Sequence, residues 1–388
     1  MMILKKTIYA IFCFIVGVST LSGCIEEYEA DISSDDTDLL VVEGSICSAQ
    51  LNKFILTRTQ AVRSDYQLKM VTGAKVSVHG SDGSEYLATP TNGYYTCQIG
   101  TLNPDAEYYL HIETDGEVYE SDPQKPLPTE MIAEVKGVQY TQKSNIDVLV
   151  TPEAPLETDK SHYYLWTYDE TWEVHPDYTT LFYYDIDSLN AIYNPNQFPE
   201  RGWKDATSTT IIVGASQNYE GQHIRSLKMY DIDRSDERMF YRYSGLIHQR
   251  AITKAEYEYE LARRQASSEM GGLFTPQPSS LPTNIRCLTS RKRVIGYVGC
   301  SLNTSDYRFF LDAKDFYIYR PQKEDARKWI INPDEKECWR MVVNGMFLCI
   351  WEDERDSGGE LTTGWARRNQ LDVRLKGAYI VKPWFWED

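Results

Sequence analysis

Hydrophobic and polar residues alternate in short runs along most of the chain, and turn-forming residues separate these runs. A period of two places one side of each run in a core and the other toward solvent, which is typical of β-strands. The pattern therefore predicts an all-β, mostly antiparallel fold. In the first part of the chain the predicted strands are residues 39–46, 54–59, 75–78, 94–99, 108–113 and 118–120.

Two Asp-Gly pairs separate predicted strands of this region, Asp82-Gly83 and Asp115-Gly116. Asp-Gly suits a type I′ turn, in which both central residues have positive φ, so each pair predicts a hairpin. Together with residues 71–78 and 93–95, the pattern resembles the prealbumin-like and immunoglobulin-like sandwiches of secreted bacterial proteins, a likeness of fold that implies no activity. We predict such a sandwich over residues 38–128, ended by the proline-rich stretch 123–128.

The rest of the chain also has a strand-like pattern, and we predict a larger β-rich domain over residues 129–388. One inserted helix is expected near residues 253–270, because Thr253 and Glu256 match a capping box and Gly271-Gly272 can end a helix. Residues 185–205 are predicted to form a long loop, which is often a binding element. The predicted strands are residues 133–140, 146–150, 163–174, 181–184, 209–213, 227–230, 285–289, 294–298, 308–311, 341–351 and 371–381.

The N-terminus has the layout of a signal peptide over residues 1–23, with two lysines before an apolar run that is too short to span a bilayer. The run ends in Leu21-Ser22-Gly23-Cys24, which matches a bacterial lipobox, so Cys24 is predicted to carry diacylglycerol and further acyl chains such as palmitate. Residues 24–37 form an acidic tether. Glu26 and Glu27 resemble the export signal that sends Bacteroidota lipoproteins to the outer face of the outer membrane; a solvated spacer is the alternative.

Cysteine content is consistent with an oxidising compartment. Apart from Cys24 and one cysteine in the signal peptide, six remain. Proximity favours the pairs Cys47 with Cys97, Cys287 with Cys300, and Cys338 with Cys349, and buried free thiols are the alternative. No cysteine and histidine spacing suits zinc.

Charge excludes nucleic acid as a partner, because 40 Lys and Arg face 57 Asp and Glu and the formal net charge is -17. The longest basic run, Arg291-Lys292-Arg293, is expected in an exposed turn. The sequence contains none of the common hydrolase, metalloprotease or nucleotide-binding motifs. An acidic run offers a weak calcium site, and an exposed acidic turn is the favoured alternative. The candidate ligands are Asp231, Asp233 and Asp236.

Aromatic residues are concentrated in the predicted strand 163–174. Tyr164, Trp166, Tyr168 and Trp172 share one parity and therefore one face of the strand. Exposed on the surface, these rings would stack on the faces of sugars. The favoured alternative places them in the core or at a protein interface.

Several stretches together resemble a family of Bacteroidota lipoproteins known as domain of unknown function 4249. The resemblance rests on residues 41–44, 73–76, 281–285 and 294–297, and on the ending Lys382-Pro383-Trp384-Phe385-Trp386. It implies an all-β fold with an immunoglobulin-like N-terminal part and a position beside TonB-dependent outer-membrane transporters, with no established activity. Near residues 349–353 many members carry a second cysteine shortly before a Gly-Gly-rich end, and this chain does not.

These features favour a non-catalytic, lipid-anchored accessory protein that binds a TonB-dependent transporter or its cargo at the cell surface, with the ligand unknown. No cofactor is expected beyond the weak calcium site. A cell-surface glycan-binding protein is the first alternative, and it requires outward-facing aromatic side chains. A hydrolase is the second, and it requires two carboxylates or a Ser and His pair that converge in a pocket.

Overall fold

The computed structural model describes residues 38–60, 68–91, 93–156, 160–210, 212–267, 281–321 and 324–387. Strands dominate these residues and pair mostly in antiparallel fashion, which confirms the predicted all-β class. The predicted signal peptide and tether lie outside the described residues, as do Cys24, Glu26 and Glu27. Within the described part, no helix combines the length and the apolar character that a bilayer span requires.

The strands and helices are numbered in their order along the chain. The first strands are β1 (Leu40–Glu43), β2 (Ser45–Cys47), β3 (Leu51–Arg58), β4 (Lys69–Met70), β5 (Lys75–Gly80), β6 (Glu85–Leu87), β7 (Thr89–Thr91), β8 (Tyr94–Gln98), β9 (Tyr108–Thr114) and β10 (Glu117–Ser121). The next elements are β11 (Ile132–Val138), β12 (Ile146–Pro152), β13 (Tyr163–Val174), β14 (Phe182–Asp185), β15 (Asn190–Tyr193), β16 (Gly202–Thr207), β17 (Ile212–Ala215), β18 (Leu227–Ile232), β19 (Arg242–Ile252) and helix α1 (Lys254–Ser267). The last are β20 (Ile285–Cys287), β21 (Val294–Gly296), β22 (Gly299–Ser301), β23 (Ser305–Asp312), β24 (Lys328–Ile331), α2 (Glu335–Val343), β25 (Met346–Asp353), β26 (Leu361–Arg367) and α3 (Arg368–Leu371).

The first unit is a sandwich of two sheets, one in the order β21-β1-β3-β8-β7 and the other in the order β20-β10-β9-β5-β6. Inward-facing residues of both sheets form one core, in which Phe54, Tyr95, Tyr108 and Tyr119 are almost fully buried. The chain returns to this unit late: β21 pairs in parallel with β1, and β20 pairs with β10. These pairings place residues 285–301 with the first unit, although the sequence pattern grouped them with residues 129–388.

The two predicted Asp-Gly hairpins form, but only one has the predicted turn. Asp115 and Gly116 both have positive φ, at 52° and 76°, as a type I′ turn requires. At the other hairpin Gly83 has a φ of 84°, whereas Asp82 does not have a positive φ. The Gly83 N–H donates to the carbonyl of Gly80 at 3.0 Å, so the turn is one residue longer and ends in a glycine bulge.

The second unit packs the sheet β11-β12-β18 against the sheet β16-β13-β19-β23, with β17 also paired to β13. Their shared core contains Val148, Trp166, Tyr243 and Ile247. Helix α1 follows β19 and begins as predicted, because the Glu256 N–H donates to the Thr253 hydroxyl at 3.1 Å.

A third unit consists of the sheet β24-β26-β25, helix α2 and the hairpin β14-β15. The sequence pattern predicted this unit less well than the other two. The strand predicted from residue 341 is wrong at its start: Met341 lies in α2, which begins with a capping box between Asp334 and Glu337. The strand predicted over residues 371–381 is also wrong, because α3 and a 3-10 turn at Val373–Lys376 replace it. Residues 185–205, predicted as a loop, contain β15 and the start of β16.

Candidate binding site on the outer sheet face

The aromatic residues proposed to stack on sugars lie in the core of the second unit. Tyr164, Trp166, Tyr168 and Trp172 are all at least nine-tenths buried. The Trp166 Nε1 donates to Gln249 at 2.8 Å, and the Tyr168 ring stacks on Tyr230 at 3.9 Å. Their proposed role in ligand stacking is therefore wrong, and the core alternative is confirmed.

The six cysteines of the described part are free thiols, so none of the three pairs suggested by proximity forms a disulfide. Cys47 and Cys97 lie on β2 and β8, which belong to different sheets, while β2 instead pairs with β22 beside Cys300. Burial raises the pKa of Cys97 and Cys349 to about 11 and that of Cys300 to about 12. These thiols remain protonated near neutral pH and are poor nucleophiles.

The acidic run proposed for calcium does not converge on one point. Asp231 contacts Lys228 and Asn145, Asp233 accepts hydrogen bonds from Ser235, and Asp236 caps a turn and pairs with Arg238. Among the described residues, no group of three or more His, Cys, Asp or Glu side chains could hold a metal ion. The three carboxylates therefore do not form one ligand set in this structure, because each is oriented by a different partner.

The opposite face of the sheet β16-β13-β19-β23 is polar. Side chains that lie directly opposite one another across paired strands share a face. The register places Thr167 beside His248 and His248 beside Asp306. In the next row the strands bring together Thr207, Asp169, Leu246 and Arg308.

Helix α1 covers one end of this outer face. Arg250 follows His248 on the same side of β19, and its Nη2 lies 2.6 Å from Oε1 of Glu256 in α1. Tyr257 of α1 packs on Tyr163 of β13, with 5.1 Å between ring centres. Both charged side chains of the Arg250 and Glu256 pair are nearly inaccessible to solvent, so α1 closes this end.

The C-terminal residues cover the other end. Tyr379 exchanges backbone hydrogen bonds with Trp203 of β16, and its hydroxyl donates to Asp205 at 3.0 Å. Trp386 is only 3% exposed and lies between Trp203 and Phe310. Its ring centre is 6.2 Å from that of Trp203 and 5.7 Å from that of Phe310.

Between these two covers an open strip of the outer face remains, which we call the trough. Its members supply carboxylates, hydroxyls, an imidazole, a guanidinium and one aliphatic side chain. They are Thr167, Asp169, Thr207, Leu246, His248, Asp306 and Arg308.

Hydrogen bonds fix the side chains of the trough. His248 Nδ1 lies 2.9 Å from Asp306 and Nε2 lies 3.2 Å from Asp169, while the Thr207 hydroxyl donates to Asp169 at 2.7 Å. Arg308 donates to the Ser244 hydroxyl at 3.0 Å, and its guanidinium lies 3.5 Å from the ring centre of Phe385. Burial lowers the pKa of Arg308 from its ordinary value, and the charges of Asp169 and Asp205 oppose this shift.

Trp384 is the most exposed of the nine tryptophans, with 94% of its surface accessible. It packs edge-on against Phe385, whose ring covers Arg308, so it lies beside the trough. Trp386 anchors the same segment against the outer face two residues later. The segment therefore presents a large aromatic side chain to solvent from a backbone that packing holds in place.

Two other clefts of about 480 Å³ adjoin Tyr241. The His175 ring stacks on Tyr241 at 3.7 Å, and the guanidinium of Arg320 lies 4.9 Å from the same ring. In the second cleft Arg327 is paired with Asp325. The trough is the stronger candidate because its Asp306 and Asp169 side chains are 55% and 44% exposed and Trp384 beside it is 94% exposed.

Sequence reasoning did not find the trough. Its residues come from four strands that are far apart in the chain, and no local motif joins them. Two signals were present: the polar residues at the odd-numbered positions 167–173 of β13, and the aromatic ending at residues 384–386.

Fold and site together define an all-β protein with a sandwich at its N-terminal side and a polar, solvent-exposed trough on a second unit. The chain belongs to DUF4249, a family described as a domain of unknown function, whose model matches residues 25–306. The resemblance noted in the sequence reached the C-terminus, whereas the family match ends at Asp306. Arg308 and Trp384 therefore lie beyond the matched region. No curated protein matches the chain.

Solved structures similar to this chain are distant. Trypsin-activated alpha-2-macroglobulin from Escherichia coli is 11% identical with a TM-score of 0.17, over 59% of this chain and 16% of that one. A DUF4785 family protein from Legionella pneumophila is 12% identical with a TM-score of 0.16, over 54% of this chain and 52% of that one. The chain thus spans a small part of the first structure and about half of the second, and this level of similarity carries no functional argument.

Proposed function

We propose that this protein is a non-catalytic, lipid-anchored accessory protein of the bacterial outer membrane, and that it binds its partner or cargo at the trough. The observation that carries the proposal is Trp384, which is 94% exposed yet lies on a segment anchored by Trp386. Exposed large aromatic residues on fixed backbone are the side chains that contribute most to binding energy in interfaces.

The direction of the chain suits an anchor at Cys24. Asp38 enters the sandwich beside Thr59 and Lys69, next to the Asp115-Gly116 turn that Arg58 contacts. The chain leaves toward the second unit after β10, which begins at this turn and runs away from it. An anchor at Cys24 would therefore reach the sandwich at this entry end, and the chain continues from there toward the second unit.

The groups in the trough favour binding over catalysis. Both ring nitrogens of His248 are engaged by carboxylates, so neither is directed at a substrate proton. The Ser244 hydroxyl is fully buried and accepts a hydrogen bond from Arg308. This arrangement supports the non-catalytic proposal and disfavours the hydrolase alternative.

The proposed partner is a TonB-dependent transporter, as the resemblance to Bacteroidota lipoproteins implies. Full-length protein should be immunoprecipitated from its native membrane in mild detergent and the co-purifying proteins identified by mass spectrometry. We expect a transporter of this class in comparable amount, and recovery of the protein alone would contradict the proposal. Trp384→Ala should reduce the amount of transporter recovered. Trp339→Ala is the matched control, because Trp339 is also exposed but lies on α2, away from the trough.

The membrane location has its own test. Cys24→Ser should release the protein from the membrane fraction. Replacement of Glu26 and Glu27 by alanine should abolish accessibility to protease on intact cells, and unchanged accessibility would remove the export signal from the proposal.

A further inference from the structure

We infer that the ligand of the trough is a neutral saccharide, held by hydrogen bonds from the trough and by stacking on Trp384. The inference rests on the proposed function, because it names the chemical class bound at the same site. It assigns the stacking role to an aromatic residue on the outer face, since the rings of Tyr164, Trp166, Tyr168 and Trp172 lie in the core.

The hydrogen-bonding groups of the trough match a polyhydroxyl ligand. A sugar hydroxyl both donates and accepts, so it is satisfied by carboxylates that accept and by guanidinium or hydroxyl groups that donate. The side chains of Asp306 and Asp169 are 55% and 44% exposed. A carboxylate has about four acceptor positions, and at Asp306 His248 is the one hydrogen-bonding partner found among the described residues. Asp306 thus retains acceptor capacity that faces solvent.

The apolar face of a pyranose ring requires a flat surface, and Trp384 provides one. Aromatic rings attract C–H groups through their electron-rich faces. Because packing of Phe385 and Trp386 already orders this segment, little conformational entropy is lost when a ligand stacks on Trp384. Leu246 is the one aliphatic side chain among the trough residues, so hydrogen-bonding groups form most of the trough, as a polyhydroxyl ligand requires.

Charge selects a neutral saccharide over an acidic one. The carboxylates of Asp169 and Asp306 lie in the trough and Asp205 lies beside it, while Arg308 and His248 are its basic groups. The whole chain has a formal net charge of -17, so a polyanion would be repelled on approach.

The test is native affinity electrophoresis of the mature chain, residues 24–388 with Cys24→Ser, in gels that contain one dissolved polysaccharide. The neutral probes are amylopectin, dextran, arabinoxylan and galactomannan, and polygalacturonic acid is the acidic probe. We expect at least one neutral polymer to retard the protein. Trp384→Ala should weaken this retardation by about tenfold, as loss of an aromatic contact predicts, while Trp339→Ala should leave it unchanged.

Three outcomes would overturn the inference: no retardation by any neutral polymer, equal retardation of the Trp384→Ala variant, or stronger retardation by polygalacturonic acid. Circular dichroism of each variant shows whether it is folded, and Trp384→Phe, which keeps a flat ring, should restore part of the retardation. If the inference fails while a transporter still co-purifies in a manner that depends on Trp384, the proposed function stands without a saccharide. If neither polysaccharide nor transporter is bound, both proposals fail.

Discussion

The two faces of strand β13 are built from adjacent residues and have opposite roles. Trp166 and Tyr168 point into the core and are almost completely buried, while Thr167 and Asp169 between them belong to the trough. The aromatic face stabilises the second unit, and the polar face is held by hydrogen bonds that leave it open to solvent. Aromatic content on a strand therefore does not by itself indicate a ligand site, because the face decides which role a side chain has.

Aromatic side chains of the C-terminal segment also reach the outer face. Trp386 is buried against this face and Trp384 is exposed beside it. The same residue type thus stabilises packing at one position and is available for binding two positions away. The predictions that follow separate these two roles, beginning with the largest expected effect.

Truncation of a side chain on the core face of β13 should have the largest effect on the free energy of unfolding. Trp166 is fully buried and its Nε1 donates to Gln249, so Trp166→Ala should lower the free energy of unfolding by about 3–5 kcal/mol. Thr167→Ala, one residue away on the outer face, is the control and should change it by less than about 0.5 kcal/mol. Urea denaturation measures both, and similar losses would contradict the assignment of faces.

The carboxylate of Asp372 should stabilise the segment that leads to Trp384. It is fully buried and accepts hydrogen bonds from Arg374 and Arg368. At pH 7, Asp372→Asn should lower the free energy of unfolding by about 1.5–3 kcal/mol, as expected for the loss of hydrogen bonds to a charged group. Denaturation curves at pH 7 measure this cost.

The effect of Asp372 should depend on pH in a defined direction. Hydrogen bonds from Arg374 lower the pKa of Asp372 below its ordinary value of 3.8. Its contribution to stability is therefore complete above about pH 4 and is lost as the pH falls through the lowered pKa of the folded state. The difference between wild type and Asp372→Asn should shrink below pH 4, and a difference that grows there would contradict this account.

Overpacking of the core face should have a moderate effect. A Cβ atom at Gly245 would overlap a ring carbon of Phe309 and lie 3.1 Å from the Tyr230 hydroxyl. Gly245→Ala should therefore lower the free energy of unfolding by about 1–3 kcal/mol, because neighbouring side chains must be displaced. Gly116→Asn, at a turn where a Cβ atom meets no neighbour, is the control because asparagine tolerates positive φ. Thermal denaturation that ranks the two variants in the opposite order would count against the packing described here.

Substitution within the trough should have the smallest effect on stability and a measurable effect on binding. Asp306 is half exposed and pairs with His248, and an exposed pair of this kind contributes about 0–1 kcal/mol. Asp306→Asn should leave the midpoint of thermal denaturation almost unchanged while it weakens polysaccharide retardation. A large loss of stability with intact binding would assign Asp306 to the fold and not to the site.

The sequence predicted the fold class and most strands, because alternation with a period of two is a local signal. It also predicted the start of α1 from Thr253 and the type I′ turn at Asp115-Gly116. Its errors concern features that depend on tertiary contacts or competing local signals. The capping box at Asp334 outweighed the apolar run near Met341, which is a helix and not a strand.

The site was less predictable than the fold. The trough exists because β13, β16, β19 and β23 are paired in one register and because α1 and the C-terminal segment cover the two ends. None of these long-range pairings is encoded in a short motif. The exposure of Trp384 also depends on the burial of Trp386 against Trp203 and Phe310, which sequence spacing does not reveal.

The central claim is that Trp384 serves binding and not folding. The most direct measurement compares Trp384→Ala with wild type in two assays on the same preparation: the midpoint of thermal denaturation, and the amount of ligand or transporter bound. We predict an unchanged midpoint and binding reduced by about tenfold. A lowered midpoint with unchanged binding would contradict the account and assign the C-terminal segment a purely structural role.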